Sequence, residues 1–162
     1  MGFGRVVRVA GAAGVAVAMS GLLTGCEVKG RFVATCHGVG DPTGPQGPGH
    51  VEVDVEVPPR VAPGATFTIR VDALVGYPDQ AGPGQDQAGT LSVTGPVTPS
   101  GPIFVDGPYP EALTFTATGQ PGDEITVTAI DGRSRYIGPG FDLTFDCDTT
   151  AGHVTDIPIA AP

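Results

Sequence analysis

Apolar and polar residues alternate along most of the chain, and the period of two is clearest in residues 50–57, HVEVDVEV. The four valines of this segment fall on one side of an extended chain, and Glu52, Asp54 and Glu56 fall on the other. A helix would mix the two sets, whereas a strand separates them. The segment is therefore predicted to be a β-strand with one buried and one solvated face.

Similar alternating segments predict strands throughout the chain, separated by turns that are rich in glycine and proline. The predicted strands cover residues 31–36, 50–57, 66–75, 90–97, 102–106, 111–118, 123–130 and 141–147. EALTFTATG and DEITVTAI are joined by GQPGD, which contains glycine, so this pair is predicted to be a β-hairpin. The predicted loops that could carry function cover residues 37–49, 77–89 and 131–140.

No segment has a sustained helical period, so the chain is expected to be all-β. Roughly seven to nine short strands with one apolar face each indicate a single antiparallel β-sandwich with one wet side per sheet. VPPRVAPGATFTIRV and LTFTATGQPGDEITVTA resemble the strand–turn–strand units of secreted bacterial immunoglobulin-like domains. The resemblance implies an immunoglobulin-like fold with an adhesion, spacer or partner-binding role.

The N-terminus has the layout of an export signal. Arg5 and Arg8 precede an apolar run from Val9 to Leu23. This run of about 15 residues is shorter than the roughly 20 that a transmembrane helix needs. The expected division is a signal peptide at 1–25, a short tether at 26–30 and a β-sandwich domain at 31–162.

Two of the three cysteines end predicted strands whose same-face neighbours are apolar. Cys36 follows Phe32 and Ala34, and Cys147 follows Leu143 and Phe145. Both are expected to point into the core and to form one disulfide, which an exported protein can keep oxidised. Two buried free thiols are the alternative.

The remaining cysteine lies at the end of the predicted signal. Leu23-Thr24-Gly25-Cys26 resembles the lipobox of bacterial lipoproteins. In that family the signal is cleaved before the cysteine, which then carries lipid such as palmitate. The resemblance implies an anchor at Cys26 on the extracytoplasmic face of the cell membrane, with the domain close to the surface. Cleavage after residues 16–18, which leaves Cys26 free, is the alternative.

The charge balance excludes some partners. The predicted signal holds two of the eight basic residues and none of the 17 acidic ones, so the rest of the chain is strongly acidic. Nucleic acid needs a basic face, and so does binding to anionic lipid through side chains. Neither is expected, and the membrane is reached only through the lipid.

The sequence holds no recognisable catalytic or metal-binding pattern. The histidines lack the spacings of zinc sites: His37, His50 and His153. Four loop or strand-end aspartates offer oxygens for calcium but lack the spacing of a calcium loop: Asp79, Asp86, Asp146 and Asp148. No Gly-x-Ser-x-Gly segment is present. We expect no cofactor, no metal and no enzymatic activity.

The expected function is that of a non-catalytic cell-envelope lipoprotein that binds or holds an envelope protein or a cell-wall component. A small-molecule or lipid carrier and a secreted enzyme are the alternatives. Rigid β domains present binding residues on their loops. The candidate binding residues are Tyr77, Asp79, Asp86, Tyr109, Arg133, Arg135 and Tyr136.

Overall fold

The computed structural model describes residues 25–39 and 46–162, so the predicted signal up to residue 24 lies outside it. The strands in these residues are β1 Cys26–Gly38, β2 Gly47–Val57, β3 Thr66–Pro78, β4 Asp86–Thr94, β5 Val97–Thr98, β6 Gly101–Val105, β7 Glu111–Ala117, β8 Glu124–Gly138, β9 Phe141–Asp148 and β10 His153–Pro158. No helix in the described residues is long and apolar enough to cross a membrane.

All ten strands belong to one sheet in the order β5-β7-β3-β2-β1-β9-β8-β4-β6, with β10 paired to β8. Every strand pair in it is antiparallel. β3 in one half of the sheet contacts β8 and β4 in the other half, although neither is its hydrogen-bonded neighbour. These contacts show that the sheet is curled. The prediction of an all-β, antiparallel fold is confirmed.

The core lies inside the curl and is filled by the apolar faces that the alternation predicts. The odd-numbered valines of β2 are buried, while Glu52, Asp54 and Glu56 between them are partly exposed. The largest side chains with almost no exposed surface include Phe115, Ile69, Leu74 and Leu91. Each such side chain contributes about 1.5–3 kcal/mol when it leaves water.

The two halves of the sheet are joined where β1 meets β9, over four residue pairs from Thr35↔Asp148 to Gly38↔Phe145. Cys36 and Cys147 face each other in this seam and form the disulfide, which confirms the predicted bridge. A Cβ atom on Gly76 would clash with the backbone carbonyl of Gly132 in β8 and would lie 2.8 Å from the Cβ of Cys147, so glycine permits the close approach of β3 both to β8 and to the bridge.

Several predicted boundaries are wrong. β1 begins at Cys26, so residues 26–30 pair with β2 and do not form a separate tether. Residues 131–138, predicted as a loop, belong to β8 and pair with β9. The predicted hairpin is absent, since β7 pairs with β3 and β5 whereas β8 pairs with β4, β9 and β10. β10 was not predicted.

One end of the β8–β9 hairpin extends past the core. Phe141 and Leu143 alternate with Asp142 as predicted, but both are about half exposed rather than buried. Of the predicted apolar face of β9, only Cys147 is fully buried and Phe145 is partly buried. The alternation therefore identifies the faces of this strand correctly but does not show where the core ends.

Candidate functional site

The first candidate site, called here the tyrosine cluster, comprises Arg31, His50, Glu52, Tyr77 and Asp79. Pairing of β1 with β2 sets Arg31 opposite Glu52, and pairing of β2 with β3 sets His50 opposite Tyr77. Because directly opposed residues share a face, four of these side chains meet on the outer face of three strands. Asp79 follows β3 and reaches back to them.

Hydrogen bonds and ion pairs connect the whole cluster. Arg31 Nη1 donates to Glu52 Oε1 at 2.6 Å, and the Tyr77 hydroxyl donates to the same oxygen. The guanidinium of Arg31 also lies 5.6 Å from the centroid of the Tyr77 ring, within the range of a cation–π contact. The side chain of Tyr77 is consequently buried although it lies on the outer face of the sheet.

His50 attaches the loop after β3 to the sheet. Its Nδ1 lies 2.6 Å from Asp79 Oδ1 and 3.2 Å from Arg31 Nη2. A nitrogen that carries a proton for the carboxylate cannot accept one from the guanidinium. We therefore assign the hydrogen bond to the shorter contact, with His50 Nδ1–H donating to Asp79.

The protonation of Tyr77 limits what the cluster can do chemically. Burial raises the pKa of Tyr77 to about 12, and the hydrogen bond to Glu52 raises it as well. A tyrosine that acts as a base or nucleophile needs a pKa lowered towards neutrality. The cluster therefore keeps a neutral phenol that orders the surface and the following loop. A cavity of 450 Å³ beside it is lined in part by Lys29, Val75 and Pro83.

The second candidate site, called here the arginine groove, crosses the outer face of β4, β6, β8 and β9. Its volume is 620 Å³. The groove is lined by Val39, Asp86, Gln87, Ala88, Phe104, Asp106, Arg133, Arg135, Asp142 and Thr144. It combines charged side chains of both signs with exposed apolar ones.

Cross-strand ion pairs hold both arginines of the groove. Arg133 Nε lies 2.5 Å from Asp146 Oδ1, and Nη2 lies 3.1 Å from Oδ2. Arg135 Nε donates to Asp142 Oδ1 at 2.8 Å, and its Nη1 lies 3.6 Å from Asp86 Oδ2. The hydrogen bond from Arg135 lowers the pKa of Asp142 below its usual range. Both guanidinium groups are thus held in place by carboxylates.

Negative charge remains in surplus around these pairs. Asp131 lies directly opposite Asp148 in the β8–β9 ladder, and the pKa of Asp131 is raised by burial and also by the nearby carboxylates of Asp148 and Asp146. Asp106 forms no ion pair with the described residues. Six aspartates therefore stand against two arginines in and beside the groove: Asp86, Asp106, Asp131, Asp142, Asp146 and Asp148. An added cation would be attracted to this surface.

Apolar side chains lie exposed among these charges. Phe104 is 55% exposed, and it lies beside Thr90 in the β4–β6 ladder. Val39 is also about half exposed and lies next to β9, since its amide donates to Thr144 O at 2.8 Å. Exposed aromatic residues, arginines and carboxylates on one concave surface are typical of sites that bind another protein.

The structure separates the predicted candidate residues into groups. Tyr77 and Asp79 belong to the tyrosine cluster, whereas Asp86, Arg133 and Arg135 belong to the arginine groove. Tyr136 packs edge-on against Phe145 at 5.9 Å, and its hydroxyl donates to the Gly82 carbonyl.

Tyr109 lies apart from both groups. Its hydroxyl donates to Leu74 O at 2.9 Å, and the ring packs against the core. Both the hydroxyl and the ring of Tyr109 thus make contacts within the domain.

Sequence reasoning missed Arg31, Glu52 and Phe104 as members of these sites, and considered His50 only as a metal ligand. Each lies within a strand, and its neighbours come from a different strand. The alternation shows that Arg31 and Glu52 lie on wet faces, but only the pairing of β1 with β2 places them together. Phe104 had no signal, because it occupies a short strand between prolines and glycines.

Within residues 25–39 and 46–162, no three His, Cys, Asp or Glu side chains are arranged so that they could hold a metal ion. Comparisons with known proteins give no further assignment: no family model, curated protein or solved structure matches the chain.

Proposed function

We propose that this chain is a lipid-anchored cell-envelope protein whose single, non-catalytic β domain binds a protein partner at the outer face of the cytoplasmic membrane. We further propose that the two halves of the curled sheet form the two layers of an immunoglobulin-like sandwich. Packing of β3 against β8 and β4 supports two layers, since those strands face each other without sharing hydrogen bonds. The anchor is Cys26.

The state of the cysteines supports the anchor. Cys36 and Cys147 are joined to each other, which leaves Cys26 free and exposed at the beginning of β1. A thiol at this place follows the apolar run and the small residues that resemble a lipobox. Acyl chains on one residue hold a domain at a bilayer, because each buried methylene contributes about 0.8 kcal/mol.

The arginine groove carries the binding proposal. Its surplus of aspartates favours a basic partner segment, and the exposed Phe104 and Val39 favour apolar side chains on the same segment. The occupant is therefore an extended segment of an envelope protein in which basic and apolar residues alternate. Three of the cavities in the described residues are open surface grooves with charged walls, and a smaller one of 250 Å³ is lined by uncharged residues such as Tyr136, Ile137 and Phe141. None of these four is enclosed, which does not favour the carrier alternative.

Replacing the anchor residue is expected to release the protein from the membrane. In Cys26→Ser, the sulfur that would carry lipid is absent, so the protein should move from the membrane fraction to the soluble or unprocessed fraction. Fractionation and mass spectrometry of the mature N-terminus measure this change. Wild-type protein retained by the membrane without a lipid mass on Cys26 would contradict the anchor.

The groove is tested with defined peptides. A peptide that alternates lysine and valine should bind the wild-type protein, whereas one that alternates glutamate and valine should not. Phe104→Ser and Asp106→Asn should each weaken binding of the lysine peptide several-fold. The first removes an apolar contact with the valines, and the second removes a negative charge that attracts the lysines. Titration calorimetry measures both affinities.

Thr68→Ser is the matched control for the groove, because this exposed residue lies on β3 in the other half of the sheet. It should leave the affinity for the lysine peptide unchanged. Equal binding of both peptides would exclude the groove as the site. A loss of affinity in Thr68→Ser as large as in the groove variants would exclude it as well.

A further inference from the structure

β1 has a free edge along most of its length. Residues Cys26 to Ala34 pair with β2 on one side. On the other side, only Thr35 to Gly38 pair with β9. Among the described residues, no strand pairs with the segment before Thr35 on this side. An unpaired strand edge presents a row of backbone donors and acceptors to any other extended chain.

The free groups belong to the odd-numbered residues. The Cα atoms of Cys36 and Cys147 are 4.0 Å apart, the close spacing of a non-hydrogen-bonded pair, and the amide of Val39 donates to Thr144 O in β9. Odd residues of β1 therefore direct N–H and C=O towards the β9 side. Glu27, Lys29, Arg31 and Val33 carry these groups on the free edge.

This edge lacks the protection found on the others. β5 has two residues, β6 has five and contains Pro102, and β10 ends at Pro158. β1 has no proline and no irregularity in its register with β2. Its cations could repel a second strand, but Lys29 lies 2.7 Å from Glu27 and 2.8 Å from Asp54, and Arg31 is paired with Glu52. Within the described residues, β1 is thus the longest strand edge without a hydrogen-bonded partner, although β10 lies close to part of β1.

We infer that a second copy of this chain covers the edge, with the two β1 strands paired antiparallel about a two-fold axis at Lys29. A two-fold axis makes identical strand edges antiparallel, so the interface is self-complementary. This register sets Glu27 of each copy opposite Arg31 of the other, which gives two favourable cross-strand pairs. The two Lys29 residues face each other, but each already has its two carboxylates.

Neighbouring registers are less favourable. With Gly30 on the axis, Lys29 of each copy would lie opposite Arg31 of the other, which gives two like-charge pairs instead of one and removes both Glu27–Arg31 pairs. With Val28 on the axis, the overlap of β1 with its copy would shrink to five residues, from Cys26 to Gly30. The Lys29 register combines charge complementarity with a longer ladder.

The inner face of the edge also fits a second strand. Val28 and Phe32 are only partly buried against the core, and the Phe32 ring leans over Gly30, where a Cβ would lie 2.6 Å from Cζ. In the Lys29 register, Val28 of the second copy lies opposite Gly30 and covers this ring. The dimer thereby removes apolar surface from water and pairs the open backbone groups together.

Cysteine cross-linking in the full chain with Cys26→Ser tests the dimer and its register. A cysteine at position 29 would face its copy at a Cα separation of about 5.5 Å, so Lys29→Cys should give covalent dimers under mild oxidation. Val33→Cys is the control: its copy would be eight residues away, about 26 Å along the strand. Val33 is 78% exposed, so random collision would cross-link Val33→Cys at least as well as Lys29→Cys.

A backbone substitution tests the hydrogen bonds themselves. Lys29→Pro removes the edge N–H but no bond to β2, whereas Lys29→Thr removes the same charge and keeps the N–H. Sedimentation should show dimers for wild type and Lys29→Thr, and at least tenfold weaker association for Lys29→Pro. Monomers throughout, or equal cross-linking at 29 and 33, would overturn the inference. If Lys29→Pro does not fold, the cross-linking result decides alone.

Discussion

Removal of the Cys36–Cys147 bridge is expected to lower the free energy of unfolding by about 4 kcal/mol. The bridge closes a loop with a sequence separation of 111 residues, and loss of loop-closure entropy alone stabilises such a protein by roughly 4–5 kcal/mol in the chain-entropy treatment. The bridge also lies in the seam of four residue pairs that joins the two halves of the sheet. Few other backbone hydrogen bonds connect the two halves of the sheet at this seam.

Urea denaturation of the wild type and of Cys36→Ala/Cys147→Ala measures the effect. Cys26→Ser is the matched control, because it also removes a cysteine but leaves the bridge intact, and its midpoint should be unchanged. Reduced wild-type protein should resemble the double variant. A loss below about 1 kcal/mol would mean that the seam holds without the bridge.

A single methyl group on β8 is expected to be nearly as damaging. Gly132 lies where β8 crosses β3, and a Cβ there would come within 2.5 Å of Val75 C and 2.8 Å of Val75 O. These are backbone atoms, which cannot move as a side-chain end can. Gly132→Ala should therefore cost about 3 kcal/mol or more, at the upper end of overpacking effects.

Gly38→Ala provides the comparison, because nothing lies within 4 Å of a Cβ at that strand position. It should be neutral or slightly stabilising, since alanine has less conformational entropy to lose on folding. Thermal unfolding of the two variants measures the difference. Equal stabilities would show that β3 and β8 do not approach as closely as described.

The alternation of residue types predicted faces better than it predicted pairings. It placed the β2 valines in the core, and it placed Cys36 and Cys147 on apolar faces, which was enough to predict their bridge. These properties follow from local periodicity. The partner of a strand is a non-local property, and for this reason the glycine-containing turn between β7 and β8 suggested a hairpin that does not exist.

The candidate sites could be predicted only in part for the same reason. Residues 131–138 looked like a loop because two glycines and two arginines interrupt the apolar pattern. In the structure the glycine at 132 permits close contact with β3, and the arginines bind aspartates of β9 across the ladder. The glycine and the arginines that made this segment resemble a loop are thus the residues that bring β8 into contact with β3 and β9.

The start of β1 at Cys26 has a consequence for orientation. A flexible linker would let a domain tumble above a bilayer, but here the residue proposed to carry lipid is already hydrogen-bonded into a sheet. Thirteen residues of strand, about 40 Å, continue from it without a hinge. An anchor at the first residue of a strand restricts the rotation of the domain as well as its distance from the membrane. The height and direction of every surface above the membrane would then be set by the fold, and so would the set of neighbours within reach.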